Sequence, residues 1–184
     1  MSPKTRRPFL WIAAPLAVLA LAPLAATAID EGGAAPACEL GAIGEPAPLR
    51  PVHFEGDVWL VDFWASWCEP CARAFPFLNE LERDLGDRGL RILGVNLDEV
   101  ESEARDFLTR FQPGFELAYD PDGSCPRAFG VAAMPSTYLI DREGVVRYVF
   151  KGFREGEAER LRAAIETLLP PPAPVQHARG VVQP

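Results

Sequence analysis

Histidine is scarce in this chain of 184 residues: His53 and His177 are the only two. Neither stands at ligand spacing to the single Cys-x-x-Cys pair, Cys68 and Cys71. A structural zinc site therefore lacks the four ligands it needs, and no metal is expected. Positive charge is in the minority, since 18 Lys and Arg against 26 Asp and Glu leave a formal net charge of -8 and a pI of about 4.8. Nucleic-acid binding wants a basic face, which this composition does not offer. The acidic balance suits solubility or basic partners. No internal repeat is visible, and with 48% hydrophobic and 24% charged residues the chain can bury one core but hardly two.

What the chain does carry is concentrated in residues 60–71, which read LVDFWASWCEPC. An apolar strand runs into Cys-Glu-Pro-Cys, so two thiols meet at the first turn of a helix. Residues three apart share a face there, and the free amides and dipole of the helix N-terminus stabilise a thiolate. Cys68, at the helix start, is the expected attacking thiol. Pro70 stands where a missing N–H costs nothing, and Cys71, one turn in and more buried, suits a resolving thiol. Attack by Cys68 on a substrate disulfide gives a mixed disulfide that Cys71 then resolves, and the reverse order oxidises a dithiol.

Strand alternation puts Trp59, Val61 and Phe63 on one side and Leu60, Asp62 and Trp64 on the other. If both faces are covered, Asp62 is at least partly buried; an unpaired buried charge is costly, which raises the pKa and makes the carboxyl a proton store. The plainer alternative is a carboxylate hydrogen-bonded near a sheet edge with a structural role only. Glu69, between the thiols, either opposes thiolate formation at Cys68 or is a solvated first-turn acid that favours the helix N-terminus. Trp64 and Trp67 flank the pair as shields or contact area, although packing explains Trp64 equally well.

The segment FWASWCEPC, together with Met134-Pro135-Ser136-Thr137 and the stretch TYLIDREGVVRYVF, resembles the thioredoxin superfamily, in particular the exported TlpA/ResA-like thiol-disulfide oxidoreductases, which include cytochrome c maturation proteins. The likeness covers roughly residues 44–169. It implies a thioredoxin-like α/β/α sandwich with a central mixed sheet and no cofactor beyond the two thiols. Pro135 matches the proline which that fold carries in cis against the active-site disulfide. The backbone of Met134 is then free to pair with an extended substrate peptide, and its flexible thioether tolerates varied partners. Without the resemblance, Pro135 reads as an ordinary proline opening a strand. Trp67, Glu69, Pro70, Met134 and Pro135 are the expected substrate contacts. Thioredoxin carries an aspartate at the position of Asp62, implicated in moving a proton to or from the buried cysteine. Many TlpA/ResA-like proteins have a glutamate three residues after the second cysteine, where this chain has Ala74, so the proton acceptor is expected to have moved to Asp62. The implied partners are client proteins with cysteine pairs, such as apocytochrome c haem-binding cysteines or copper-site cysteines, and a membrane thiol electron donor.

At the N-terminus, Lys4, Arg6 and Arg7 precede an apolar stretch over 9–26 and then Ala26-Thr27-Ala28, the pattern of a secretion signal. Residues 1–28 are read as a signal peptide that is cleaved or as a retained membrane anchor, and a bacterial envelope location, periplasmic if soluble, follows either way. Cys38 and Cys125 complete an even count of four in an exported chain, which favours a second, structural disulfide; lipidation at Cys38 and free or intermolecular thiols are the alternatives.

Hydrophobic periodicity predicts strands over 59–63, 90–96 and 115–119, helices over 70–85, 101–111 and 157–169, and a hairpin of 137–140 with 145–150 around Asp141-Arg-Glu-Gly. Pro76 should kink the first helix. Residues 29–44, rich in Ala, Gly and Pro, read as a linker, 45–169 as the domain, and 170–184, with Pro170, Pro171, Pro172 and Pro174, as a disordered tail. The segment before Trp59 is short for the two-strand extension of the relatives, which leaves an N-terminal hairpin open. The function expected from this reading is an envelope thiol-disulfide oxidoreductase acting mainly as a reductant. A disulfide-forming oxidase is the alternative, weakened by the absence of a cation between the cysteines. Peroxide reduction fits the motif less well, and a non-catalytic copper(I)-binding module on the same scaffold is the reading from a different class.

Overall fold

Runs of Val, Leu, Ile and Phe too continuous for a half-exposed strand mark the centre of the fold. The computed structural model describes residues 29–44 and 50–171. In chain order its elements are Cys38–Leu40 (β1), Arg50–Val52 (β2), Val58–Trp64 (β3), Glu69–Leu85 (α1), Leu90–Asn96 (β4), Glu101–Phe111 (α2), Glu116–Tyr119 (β5), Ser124–Phe129 (α3), Ser136–Ile140 (β6), Val146–Lys151 (β7) and Glu157–Leu168 (α4). Five strands form one mixed sheet in the order β5-β4-β3-β6-β7, with β3, β4 and β5 parallel and β6 and β7 antiparallel. The central strand is β3, and its register sets Asp62 opposite Gly94 on β4 and Thr137 on β6.

Both faces of the sheet are covered, which is why β3 and β4 are apolar on both sides. Leu60 and Trp64 join Phe75, Leu78 and Leu81 of α1, Phe107 of α2, and Leu161 and Ile165 of α4 in one core. Val61 and Phe63 point the other way, toward Tyr138, Phe129 and Cys125, and toward Cys38 and Leu40 of β1. This is the α/β sandwich with a central mixed sheet that the resemblance implies. Phe75 centres the first core, its ring 4.9 to 5.8 Å from those of Trp64, Phe107, Phe111 and Phe115.

Several features depart from the sequence reading or complete it. The stretch read as a linker, 29–44, is built into the domain: β1 pairs antiparallel with β2, Gly41 exchanges backbone hydrogen bonds with Tyr119 of edge strand β5, and Gly32 and Gly33 bond to Val146 of edge strand β7. Its Gly- and Ala-rich composition hides this, because the binding is by backbone groups and by two buried side chains, Cys38 and Leu40. A hairpin therefore does precede Trp59. The short helix α3 escaped the periodicity search because six residues are too few to show one. Helix α1 starts at Glu69 and continues through Pro76 as one element. The expected leader at 1–28 and most of the expected tail, 172–184, lie outside the described residues, as do 45–49. Among the described residues no helix is long and apolar enough to cross a membrane.

Candidate active site

The turn from β3 into α1 delivers both thiols to one place. Cys68 is the N-cap of α1, with φ -85° and ψ 98°, and its sulfur accepts a hydrogen bond from the Cys71 amide at 3.3 Å. The Cys68 amide itself donates to the Ala65 carbonyl at 3.1 Å, which closes the turn. Cys68 and Cys71 are joined as a disulfide with their Cα atoms 5.2 Å apart. Cys71 is wholly enclosed, whereas an edge of Cys68 reaches the surface. An amide pointing at the cap sulfur is the arrangement that stabilises a thiolate once the bond opens.

The flanking residues separate by environment. Trp64 is buried against Phe75 and Phe107, so packing accounts for it; Trp67 is 68% exposed beside Cys68. Pro70 lies in the first turn of α1, where its missing N–H orphans nothing. Glu69 points into solvent and pairs with Arg73 one turn on, at 2.8 Å, so its charge is partly offset and well screened. Met134-Pro135 is a cis peptide, and Met134 packs on the same core cluster that contains Cys68 and Cys71. The Pro135 carbonyl accepts from the Gly152 amide at 2.8 Å, and the Ser136 hydroxyl donates to the Ala133 carbonyl at 2.7 Å, so both sides of this loop are tied down. A shallow apolar hollow beside it is lined by Leu97, Pro126, Val131 and Met134, with Arg127 at its rim.

Asp62 is 1% exposed on the central strand, not near an edge. Its Oδ1 accepts from the Thr137 hydroxyl at 2.6 Å, and its Oδ2 has no hydrogen-bond partner among the described residues. Burial pushes the carboxyl from its ordinary 3.8 up to about 7, with the Thr137 hydrogen bond pulling the other way. Ala74 is buried in α1 and brings no carboxylate. Away from the thiols, Cys38 of β1 and Cys125 of α3 are bonded across 87 residues, both buried in the second core. Asp120 accepts from the Ser124 and Cys125 amides, at 3.3 and 2.8 Å, and so holds the start of α3. Among the described residues no group of three or more His, Cys, Asp or Glu could hold a metal ion.

Sequence reading missed Asp98. It lies just beyond β4, almost fully buried, and its carboxylate accepts from the amide and the hydroxyl of Ser66 and from the Asn96 side-chain amide. The only signal was its place after a parallel strand, where such sheets put their functional loops.

This geometry, a redox-capable pair capping a helix that leaves the centre of a mixed sheet, defines a thioredoxin-like thiol-disulfide exchange site. Comparison with known proteins agrees. The Redoxin family matches residues 30–165, and the chain belongs to it, as a TlpA/ResA-like member of the thioredoxin superfamily. It is 33% identical over 126 residues to the thiol-disulfide oxidoreductase ResA of Geobacillus thermodenitrificans, covering 68% of this chain and 72% of that one. To the thiol:disulfide interchange protein HelX of Rhodobacter capsulatus it is 36% identical over 115 residues, covering 61% and 63%. A solved structure described as a thiol:disulfide interchange protein DsbE of Chlorobium tepidum superposes with a TM-score of 0.71 at 35% identity, covering 77% of this chain and 99% of that one. The chain spans about two thirds of the length of the curated relatives it matches.

Proposed function

We propose that the protein is an envelope thiol-disulfide oxidoreductase that reduces cysteine pairs in client proteins. In its dithiol form, the Cys68 thiolate attacks one sulfur of a client disulfide; a Cys68–client bond forms and the other client sulfur leaves as a thiolate that takes up a proton. Cys71, deprotonated in turn, attacks the Cys68 sulfur, the second client thiol departs, and the Cys68–Cys71 disulfide remains. Two electrons have then passed to the client, and a membrane thiol donor restores the dithiol. The observation that carries this reading is the Cys68–Cys71 disulfide at the cap of α1, with Cys71 wholly enclosed and Cys68 4% exposed.

Asp62 is the proton acceptor for Cys71 in this scheme, supported by its burial, its unpartnered Oδ2 and a carboxyl that titrates at about 7. The backbone of Met134 pairs with an extended client strand, and Trp67, Glu69, Pro70 and Pro135 line its path. Apocytochrome c haem-binding cysteines and copper-site cysteines are the proposed clients. The signal-like N-terminus and the buried Cys38–Cys125 bridge support an envelope location, since such bridges persist in oxidising compartments.

Equilibration in defined thiol buffers, followed by Trp fluorescence, gives the reduction potential of the pair. The reductant reading expects a value at or below about -270 mV, that of thioredoxin; a value near -120 mV, that of a strong oxidant, would replace it with disulfide formation.

A further inference from the structure

Between β3 and Cys68 lies a three-residue turn, Ala65-Ser66-Trp67, whose position decides where the reactive sulfur and the exposed indole sit. Its middle residue is held from the end of the neighbouring parallel strand, β4. The Ser66 amide donates to both oxygens of Asp98, at 3.1 and 3.0 Å, and the Ser66 hydroxyl donates to Oδ1 at 3.0 Å. The Asn96 side-chain amide donates to Oδ2 at 2.8 Å, while the Asn96 carbonyl oxygen accepts the Asp98 amide at 3.1 Å. The Leu97 amide adds a bond to the Trp64 carbonyl at 2.9 Å.

Asp98 is 2% exposed and makes no ion pair among the described residues. Every group aimed at it is a donor, which matches a carboxylate that only accepts. A buried carboxylate without a cation is expensive unless its acceptor sites are filled, and a buried network this fully satisfied rigidifies the segments it joins. What it holds is the loop entering α1. The two large apolar side chains exposed among the described residues, Trp67 and Val100, sit on the two loops that this cluster joins.

We propose that Asp98 is a positioning residue for thiol exchange: through Ser66 it fixes the turn so that Cys68 stays on the helix cap under the Cys71 amide and Trp67 stays beside it. This rests on Cys68 being the attacking thiol, but on neither the direction of electron flow nor the client.

The position effect and the plain charge effect of Asp98 have opposite signs. Removing a negative charge near Cys68 would by itself ease thiolate formation and speed its reactions. Releasing the turn takes the sulfur off its cap and slows them. The test is the iodoacetamide alkylation rate of Cys68 in the fully reduced full-length protein, at one pH, for wild type, Asp98→Asn and Ser66→Ala, with the reduction potential measured alongside. Asp98→Asn should alkylate roughly fivefold or more slowly and move the potential, on the scale of losing one or two hydrogen bonds. Ser66→Ala, which keeps the amide contacts and loses only the hydroxyl, should move both in the same direction by a smaller factor. Unchanged rates, or a faster Asp98→Asn, overturn the proposal. If Asp98→Asn does not fold, Ser66→Ala decides alone: a wild-type rate and potential sink the idea. An oxidising wild-type potential would overturn the reductant reading while leaving this inference intact.

Discussion

Replacing Asp62 with asparagine removes a carboxyl from the middle of the sheet while keeping its shape and one hydrogen-bond acceptor for Thr137. In the native protein this group titrates at about 7 instead of 3.8, because burial penalises the anion more than the Thr137 hydroxyl favours it. Between those two values the native state holds a proton that the unfolded chain has released. The unfolded state thus binds fewer protons, and the stability of the wild type falls as pH rises through this window. At about 1.4 kcal/mol per tenfold change in an ionisation constant, the full cost above pH ~8 is on the order of 4 kcal/mol, and roughly 1.5 kcal/mol has accrued by pH 5. The Asn variant carries no such charge. Its advantage over the wild type should therefore grow by about 2 to 3 kcal/mol between pH 5 and pH 8. Urea unfolding of both oxidised proteins at the two pH values, followed by Trp fluorescence, reads this directly. A difference that stays constant with pH would show that Asp62 is ionised at pH 5 or lies in contact with water, and the burial argument would be wrong. The same substitution should flatten the inflection near pH 7 in the rate of thiol exchange. An unaltered profile there would remove Asp62 from the proton path while leaving its stability effect standing.

Two further outcomes follow from the packing. Cys38→Ala/Cys125→Ala opens a bridge spanning 87 residues, and the loss of chain constraint should lower unfolding stability by roughly 4 kcal/mol with Cys68 alkylation unaffected; an unchanged urea midpoint would mean the bridge constrains nothing. At Gly94, opposite Asp62, an added Cβ would lie 3.1 to 3.2 Å from Leu117, Phe115 and the Trp64 indole nitrogen. Gly94→Ala should cost about 1 to 3 kcal/mol by overpacking, seen as a melting point several degrees lower, and a melting point within about 1 °C of wild type would count against the packing described here.

Asp62 and Asp98 show how environment separates two carboxylates of one sheet. Both are buried, and neither has a cation. Asp98 collects three donor groups and acts as a fastener, whereas Asp62 has a single hydroxyl and an oxygen left over. An acceptor with unused capacity inside the core can take a proton, and that capacity distinguishes a proton store from a strut.

By itself the sequence determined whatever depends on neighbours within a turn or two. The apolar runs of β3 and β4, the 3.6-residue pattern of α1 and α4, the hairpin around Asp141, and the placing of Cys68 and Cys71 on one helix start were all legible, because backbone geometry repeats on that scale. The alternation of Leu60, Asp62 and Trp64 even told which face Asp62 takes. Tertiary structure decided what depends on register across the sheet. That Asp62 meets Thr137, that Asp98 reaches Ser66 from 32 residues away, that Cys38 comes within bonding distance of Cys125, and that Gly41 seals the edge at Tyr119 are all long-range pairings. No local propensity encodes them, since a hydrogen bond between distant segments forms only after the cores on either face of β3 have fixed which residues stand opposite one another.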